Sequence, residues 1–192
     1  MRVFVAGASG AIGRPLLPKL VAAGHEVTGT TRSEERAEAI RAAGARAAVL
    51  DVLDAASLRA AVDEARPEVF VHELTSLPDR LDFRKEGVYE PTNRVRTEGT
   101  RILLDAARAA GVRRFLCQSI AFAYRPEGGR VKTEDDPLMD DIPGNFGSGV
   151  RALNEMESMV LGADRIDGVV LRYGFFYGPG TYYGEDLSLI HI

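Results

Sequence analysis

The sequence predicts an α/β domain built on a doubly wound parallel sheet. Short apolar runs alternate with amphipathic segments of helix length along almost the whole chain. The helical segments close on glycines, at Gly24, Gly44 and Gly111. A cluster of glycines also stands between the first apolar run and the first helix.

Taken in order, Val3 to Ala6 is the first strand, and Ile12 to Ala23 is a helix that contains Pro18 and stops at Gly24. Val27 to Thr30 is the second strand. Ser33 can cap a helix from Glu34 to Ala43. Ala47 to Leu50 is the third strand, Ala55 to Ala65 a helix, and Val69 to His72 the fourth strand after Pro67. A loop rich in Pro, Asp and charge runs to Pro91. From Thr92 to Ala110 the apolar positions Val95, Gly99, Ile102, Leu103 and Ala106 share one helical stripe. Arg114 to Gln118 is the fifth strand, a polar loop reaches Gly144, Val150 to Leu161 is helical, and Val169 to Arg172 is the sixth strand. Strands joined by crossover helices give a parallel sheet covered on both faces, with ligand expected at the carboxyl ends of the strands.

Composition sets the outer bounds. With 24 basic and 28 acidic residues the formal net charge is -4, which gives no reason to expect nucleic acid or an anionic membrane as partner. No window is long and apolar enough for a membrane span. The one cysteine, Cys117, has no internal disulfide partner, and a reducing cytoplasm suits it. No metal-ligand cluster is expected.

The sharpest motif is Gly7-Ala8-Ser9-Gly10-Ala11-Ile12-Gly13, which follows a strand and opens a helix. Gly7 permits the tight turn, Gly10 lets backbone approach a pyrophosphate, and Gly13 lets the helix lie close on the sheet. The N–H groups of Ala11 and Ile12 are aimed at the phosphates, aided by the positive end of the helix dipole. About twenty residues after this loop an acid would bond the adenine ribose of NAD. Here the strand ends Thr30-Thr31-Arg32-Ser33, with no acid. Arg32 offers a planar fork of donors to a 2′-phosphate, so NADP(H) is expected in preference to NAD(H). The competing reading pairs Arg32 with Glu34 and Glu35.

The glycine spacing resembles the extended branch of the short-chain dehydrogenase/reductases, the epimerase/dehydratase-like proteins. Asp51-Val52, the run Val69 to Leu74, Asn93, Gly99-Thr100, Leu103 to Ala107, Gly111 to Phe115, Gln118-Ser119 and Leu171 to Gly180 extend the resemblance along nearly the whole chain. It implies a dinucleotide held by Gly7, Ser9, Gly10, Ala11, Ile12, Gly13, Thr31, Arg32, Asp51, Val52, Leu74 and Ser119. Plainer readings stand beside these. Asp51 can be a turn former or helix cap, His72 a hydrogen-bonded core residue, and Arg172 a partner for an acid. Tyr173, Phe175, Phe176 and Tyr177 can simply pack the domain edge.

The family's chemistry uses a tyrosine, a lysine four residues later that lowers the phenol pKa, and a Ser or Thr. This chain departs from that pattern. Phe146 stands at the tyrosine position and Val150 at the lysine position. Ile120 stands four residues before Tyr124, where the hydroxyl is expected, and Ser119 lies one place earlier on the other strand face. Tyr124 and Ser119 are the remaining catalytic candidates, with Glu134, Arg172 and Tyr177 as further cleft residues. Two hypotheses follow: an NAD(P)-dependent oxidoreductase or epimerase/dehydratase-like enzyme with an unconventional proton donor, acting on an unknown small molecule, or a non-catalytic NADP(H)-binding sensor. The resemblance places homodimer contacts on the helices 92–110 and 150–161.

Residues 1–180 are read as the dinucleotide-binding domain and 181–192 as the start of a substrate region. The sheet is expected to lack its last strand and the chain most of that region. The tail Leu187-Ser188-Leu189-Ile190-His191-Ile192 back-translates to a transposon end used in preparing sequencing libraries, so residues 187–192 are expected to be non-native.

Overall fold

The structure is a computed structural model and describes residues 1–78, 82 and 85–177. Six strands form one sheet: β1 (Arg2–Ala6), β2 (Glu26–Thr31), β3 (Arg46–Val49), β4 (Val69–His72), β5 (Arg114–Ile120) and β6 (Asp167–Tyr173). Their order is β3-β2-β1-β4-β5-β6 and every pairing is parallel. The order reverses between β1 and β4, which opens a crevice at their carboxyl ends. The doubly wound α/β sheet expected from the sequence is therefore the fold. The expectations for residues 178–192 fall outside the described residues.

The two faces of the sheet bury different residues because successive strand side chains alternate. On one face Val3, Val5 and Val27 pack against Leu17 of α1 (Gly13–Ala22) and Ile40 of α2 (Glu34–Ala42). On the other, Phe4, Phe70 and Phe115 sit opposite one another on β1, β4 and β5. Their ring centroids are 4.8 and 5.2 Å apart in succession, a separation at which aromatic contact adds to area burial. Over this ladder lie Leu58 of α3 (Ala55–Ala65), Leu103 of α5 (Thr100–Ala109) and Met156 of α6 (Gly144–Leu161). Asp54 caps α3 by accepting from the N–H groups of Ala56 and Ser57. No helix among the described residues is long and apolar enough to cross a membrane.

Two helices differ from expectation. The segment read as one helix over 92–110 is α4 (Glu90–Arg94), a π-helical turn over Val95–Gly99, and then α5. At its start the Thr97 hydroxyl donates to the Asn93 carbonyl at 3.1 Å, one turn back. That bond competes with the regular backbone ladder and favours an irregular turn. The last helix, α6, begins at Gly144 rather than Val150. Glycines hid its first turns because their intrinsic helix preference is poor. Tertiary contact requires them there: a Cβ on Gly147 would collide with the Ile142 carbonyl. Gly149 lies against Arg96, whose guanidinium donates to the Gly149 carbonyl at 3.4 Å.

His72 is wholly buried at the end of β4. The Leu74 N–H donates to its Nδ1 at 3.2 Å, so Nε2 carries the hydrogen and donates to the Thr100 hydroxyl at 3.0 Å. Burial, with Arg96 nearby, holds the imidazole neutral down to about 4. This is the hydrogen-bonded core histidine of the plainer reading. The unfolded chain protonates it near its ordinary value of 6.5. The stability that depends on the neutral ring is therefore present above pH 6.5 and lost as pH falls through 4. Imidazole 15N spectra should show a neutral Nε2-protonated His72 at pH 5, and urea midpoints should fall between pH 6.5 and 4. A protonated ring at pH 6 in the folded protein would contradict this.

Candidate functional site

The crevice at the switch point contains a cavity of about 240 Å³. This is below the size of a typical whole-ligand pocket. It suits one part of an extended ligand, the rest lying along the open strand ends. Its floor is the glycine loop. Gly7 has φ +92, and a Cβ there would come within 2.8 Å of the Glu73 backbone. A Cβ on Gly13 would lie 2.4 Å from the Gly7 carbonyl oxygen. These two glycines are therefore demanded by the protein's own packing. Gly10 is different: it is exposed, and its Cβ would meet only the Gly7 carbonyl oxygen, at 3.2 Å. Its missing side chain leaves room on the solvent side, where a ligand would approach. The Gly7 N–H donates to the Thr30 hydroxyl at 3.2 Å, and the Ser9 hydroxyl donates to that of Thr31 at 3.2 Å. The ends of β1 and β2 are thereby held in one plane.

Gly7, Ser9, Gly10, Thr31, Arg32, Asp51, Val52 and Leu74 all line this cavity. Ala11, Ile12 and Gly13 do not line it. They lead into the start of α1 beside it, where no side chain caps the helix N–H groups. Asp51 spends one carboxylate oxygen on the Leu53 N–H at 3.0 Å, which is the turn-forming role, and still faces the cavity. Arg36 also lines the cavity. Sequence reasoning missed it, although it lies four residues after Arg32, in the first turn of a helix capped by Ser33. Glu34 is bound to Arg41 at 2.7 Å, so it is not held by Arg32. Neither Arg32 nor Arg36 has an acidic partner among the described residues.

Ser119 is placed differently from the expectation. It is 1% exposed, lines no part of the cavity, and donates to Glu157 at 2.5 Å. The physical reason is strand alternation: Ser119 faces α6, where Glu157 is buried and needs donors. Arg172 completes the group with 2.6 and 3.2 Å bonds to the two Glu157 oxygens, the acid pairing of the plainer reading. Its charge is favoured by Glu157 first and then by Tyr124. The Arg172 guanidinium carbon lies 4.8 Å from the centre of the Tyr124 ring. Arg172 also donates to the Glu134 carbonyl at 3.3 Å. Tyr177 is 83% exposed and contributes no wall. Phe146 is within 6.5 Å of Phe122, which stacks on Phe175 at 4.3 Å. Val150 is fully buried against Ala123 and Leu138. An aromatic rim and an apolar plug thus occupy the positions where a tyrosine and a lysine are expected.

Glu73 was not singled out from the sequence. It follows the last residue of β4, is 7% exposed, and is a lining residue of the cavity. Tyr173 on β6 donates its hydroxyl to Glu73 Oε1 at 3.2 Å. Oε2 is buried without a partner among the described residues. Burial pushes this carboxyl up to about 7, against the opposing effect of the Tyr173 hydrogen bond. Between them, Cys117 on β5 is pushed up to about 12 by burial and by Glu157 and Glu73, which makes it an inert thiol.

A family model described as NAD(P)H-binding matches residues 7–182. The chain is 48% identical to the 3-diazoavenalumate denitrifying reductase of a Streptomyces species, over 97% of this chain and 60% of that protein. It is 33% identical to a dTDP-4-dehydrorhamnose reductase of Streptomyces griseus, over 93% of this chain and 51% of the relative. Among solved structures, WbmG of Bordetella bronchiseptica in complex with NAD and UDP superposes with a TM-score of 0.74. The identity there is 24%, over 93% of this chain and 55% of that one, so the likeness concerns the fold. The chain spans between half and about 60% of the length of these proteins. From the glycine loop at the switch point and the match along 7–182, the chain belongs to the NAD(P)H-binding family, of short-chain dehydrogenase/reductase type.

Proposed function

We propose that the chain holds NADP(H) in preference to NAD(H), as the cofactor domain of a reductase that acts on a small organic molecule. The carrying observation is the charge at the end of β2. Arg32 and Arg36 line the cavity with no acidic partner among the described residues, and Thr31 stands where an acid would repel a 2′-phosphate. The 48% identical relative supports the reductase part, because its name describes a reduction. The bound reduced nicotinamide would supply hydride. The protein's share is then to bind, orient and manage the proton. Thr30 and Thr31 hold the glycine loop, Arg32 and Arg36 meet the phosphate, and Tyr124 under Arg172 is the phenol beside a fixed cation. That last pairing holds the phenol ring in place beside a cation.

Titration of both cofactors tests the preference. NADPH should bind more tightly than NADH. Arg32→Ala should weaken NADPH by roughly 1.5–3 kcal/mol, the worth of a charged hydrogen bond, and leave NADH nearly unchanged. Equal affinity of the unaltered protein for the two cofactors would refute the assignment.

The proton donor is tested separately. Tyr124→Phe should leave NADPH affinity intact while slowing NADPH oxidation against a panel of small electrophiles. Unchanged turnover would remove Tyr124 from consideration. Restoring the usual pair with Phe146→Tyr and Val150→Lys should not produce strong activity. Val150 is fully buried among apolar groups, so the lysine should cost about 3 kcal/mol in denaturant titration. A robust gain in turnover from that double change would overturn this reading of the site.

A further inference from the structure

One buried acid in the crevice, Glu73, has no cation to balance it among the described residues. The Glu73 carboxyl leaves β4, passes over the end of β5 and meets Tyr173 on β6. It therefore lies along the strand ends, next to the glycine loop whose Gly7 is pressed onto the Glu73 backbone. Oε1 accepts from Tyr173, while Oε2 is enclosed and has no partner among the described residues. The titratable groups facing it are Tyr173 from β6 and Cys117 from β5. Neither is a cation, and the glycine loop brings no charge of its own. Arg172, the nearby guanidinium on β6, is committed to Glu157. An ionised carboxylate here would add a negative charge to the partly desolvated cavity that is to receive the phosphates of a dinucleotide, and like charges raise each other's energy.

We infer that Glu73 is a neutral carboxyl when the dinucleotide is bound, so that binding to the ionised form takes up one proton. The proton balance is simple. Solvent supplies the proton, Oε2 holds it, and it is returned when the cofactor leaves. No covalent bond to the cofactor forms. With the free carboxyl titrating at about 7, the protonated fraction falls as pH rises beyond neutrality. Affinity should therefore fall with it, by up to about tenfold per pH unit. The inference rests on the dinucleotide site of the family and is independent of the preference for NADP(H).

Calorimetric titration of the chain with NADPH and with NADH, between pH 7 and 9, tests this. The range lies above the titration of a phosphate monoester, whose second pKa is about 6. Repeating each titration in phosphate and in Tris, which differ in ionisation enthalpy, gives the protons exchanged. At pH 8.5 both cofactors should take up about one proton, with the affinity falling as pH rises. Glu73→Gln keeps a donor but cannot titrate. It should bind without buffer-dependent heat and with a flat pH profile, so that it binds more tightly than the unaltered protein at pH 9. Tyr173→Phe removes the hydrogen bond that favours the carboxylate and should move the loss of affinity to higher pH. Binding with buffer-independent heat, or the same proton uptake in Glu73→Gln, would overturn the proposal alone. Failure of both dinucleotides to bind would overturn the cofactor site with it.

Discussion

The constraint on which the crevice depends is the close passage of three backbones at the end of β1. Gly7 touches the backbone leaving β4, and Gly13 touches the Gly7 and Ala8 carbonyls. Gly29 on β2 admits Ala8, whose methyl would lie 2.5 Å from a Cβ placed there. No larger side chain fits at these contacts without displacing backbone. The loop is consequently fixed in space by the sheet, and the exposed side of Gly10 is the part left free. A surface made of backbone N–H groups at a helix start suits a phosphate better than any flexible side chain could.

Around this loop the polar groups divide into three sets with different states. At the β2 end two guanidiniums, Arg32 and Arg36, have no acidic partner among the described residues and remain available to an anion. At the β5–β6 end a buried acid, Glu157, is fully engaged by Arg172 and Ser119. Arg172 of that group also lies over the Tyr124 ring. Between them Glu73 has a phenol for a partner and no cation among the described residues, so burial acts on it without an opposing charge there. Of these two buried glutamates, Glu157 is the one that meets a guanidinium among the described residues.

The positions at which the resemblance expects a tyrosine and a lysine serve tertiary packing in this chain. Val150 is wholly buried with Ala123 and Leu138, and Phe146 belongs to a row of aromatic rings with Phe122 and Phe175. Both residues serve apolar contacts between α6 and the segment after β5. Beside this apolar wall, Arg172 lies over the Tyr124 ring.

Much of this was written in local sequence. Alternating apolar runs and helix-stop glycines gave every strand within a few residues, because each depends on its own side-chain period and turn chemistry. The glycine loop was legible for the same reason, and so were the lack of an acid after β2 and of the tyrosine–lysine pair. The start of α6, the π-helical turn at Val95–Gly99, the commitment of Ser119 to Glu157 and the isolation of Glu73 were not legible. Each is decided by a partner distant in the chain: Ile142 and Arg96 for the glycines of α6, Glu157 for Ser119, Tyr173 for Glu73. The sequence by itself determined which elements form and that a glycine-rich turn joins the first two. Only the tertiary structure decided which buried polar groups are satisfied, since desolvation and hydrogen bonding are set by what packs against a residue and not by its neighbours in the chain.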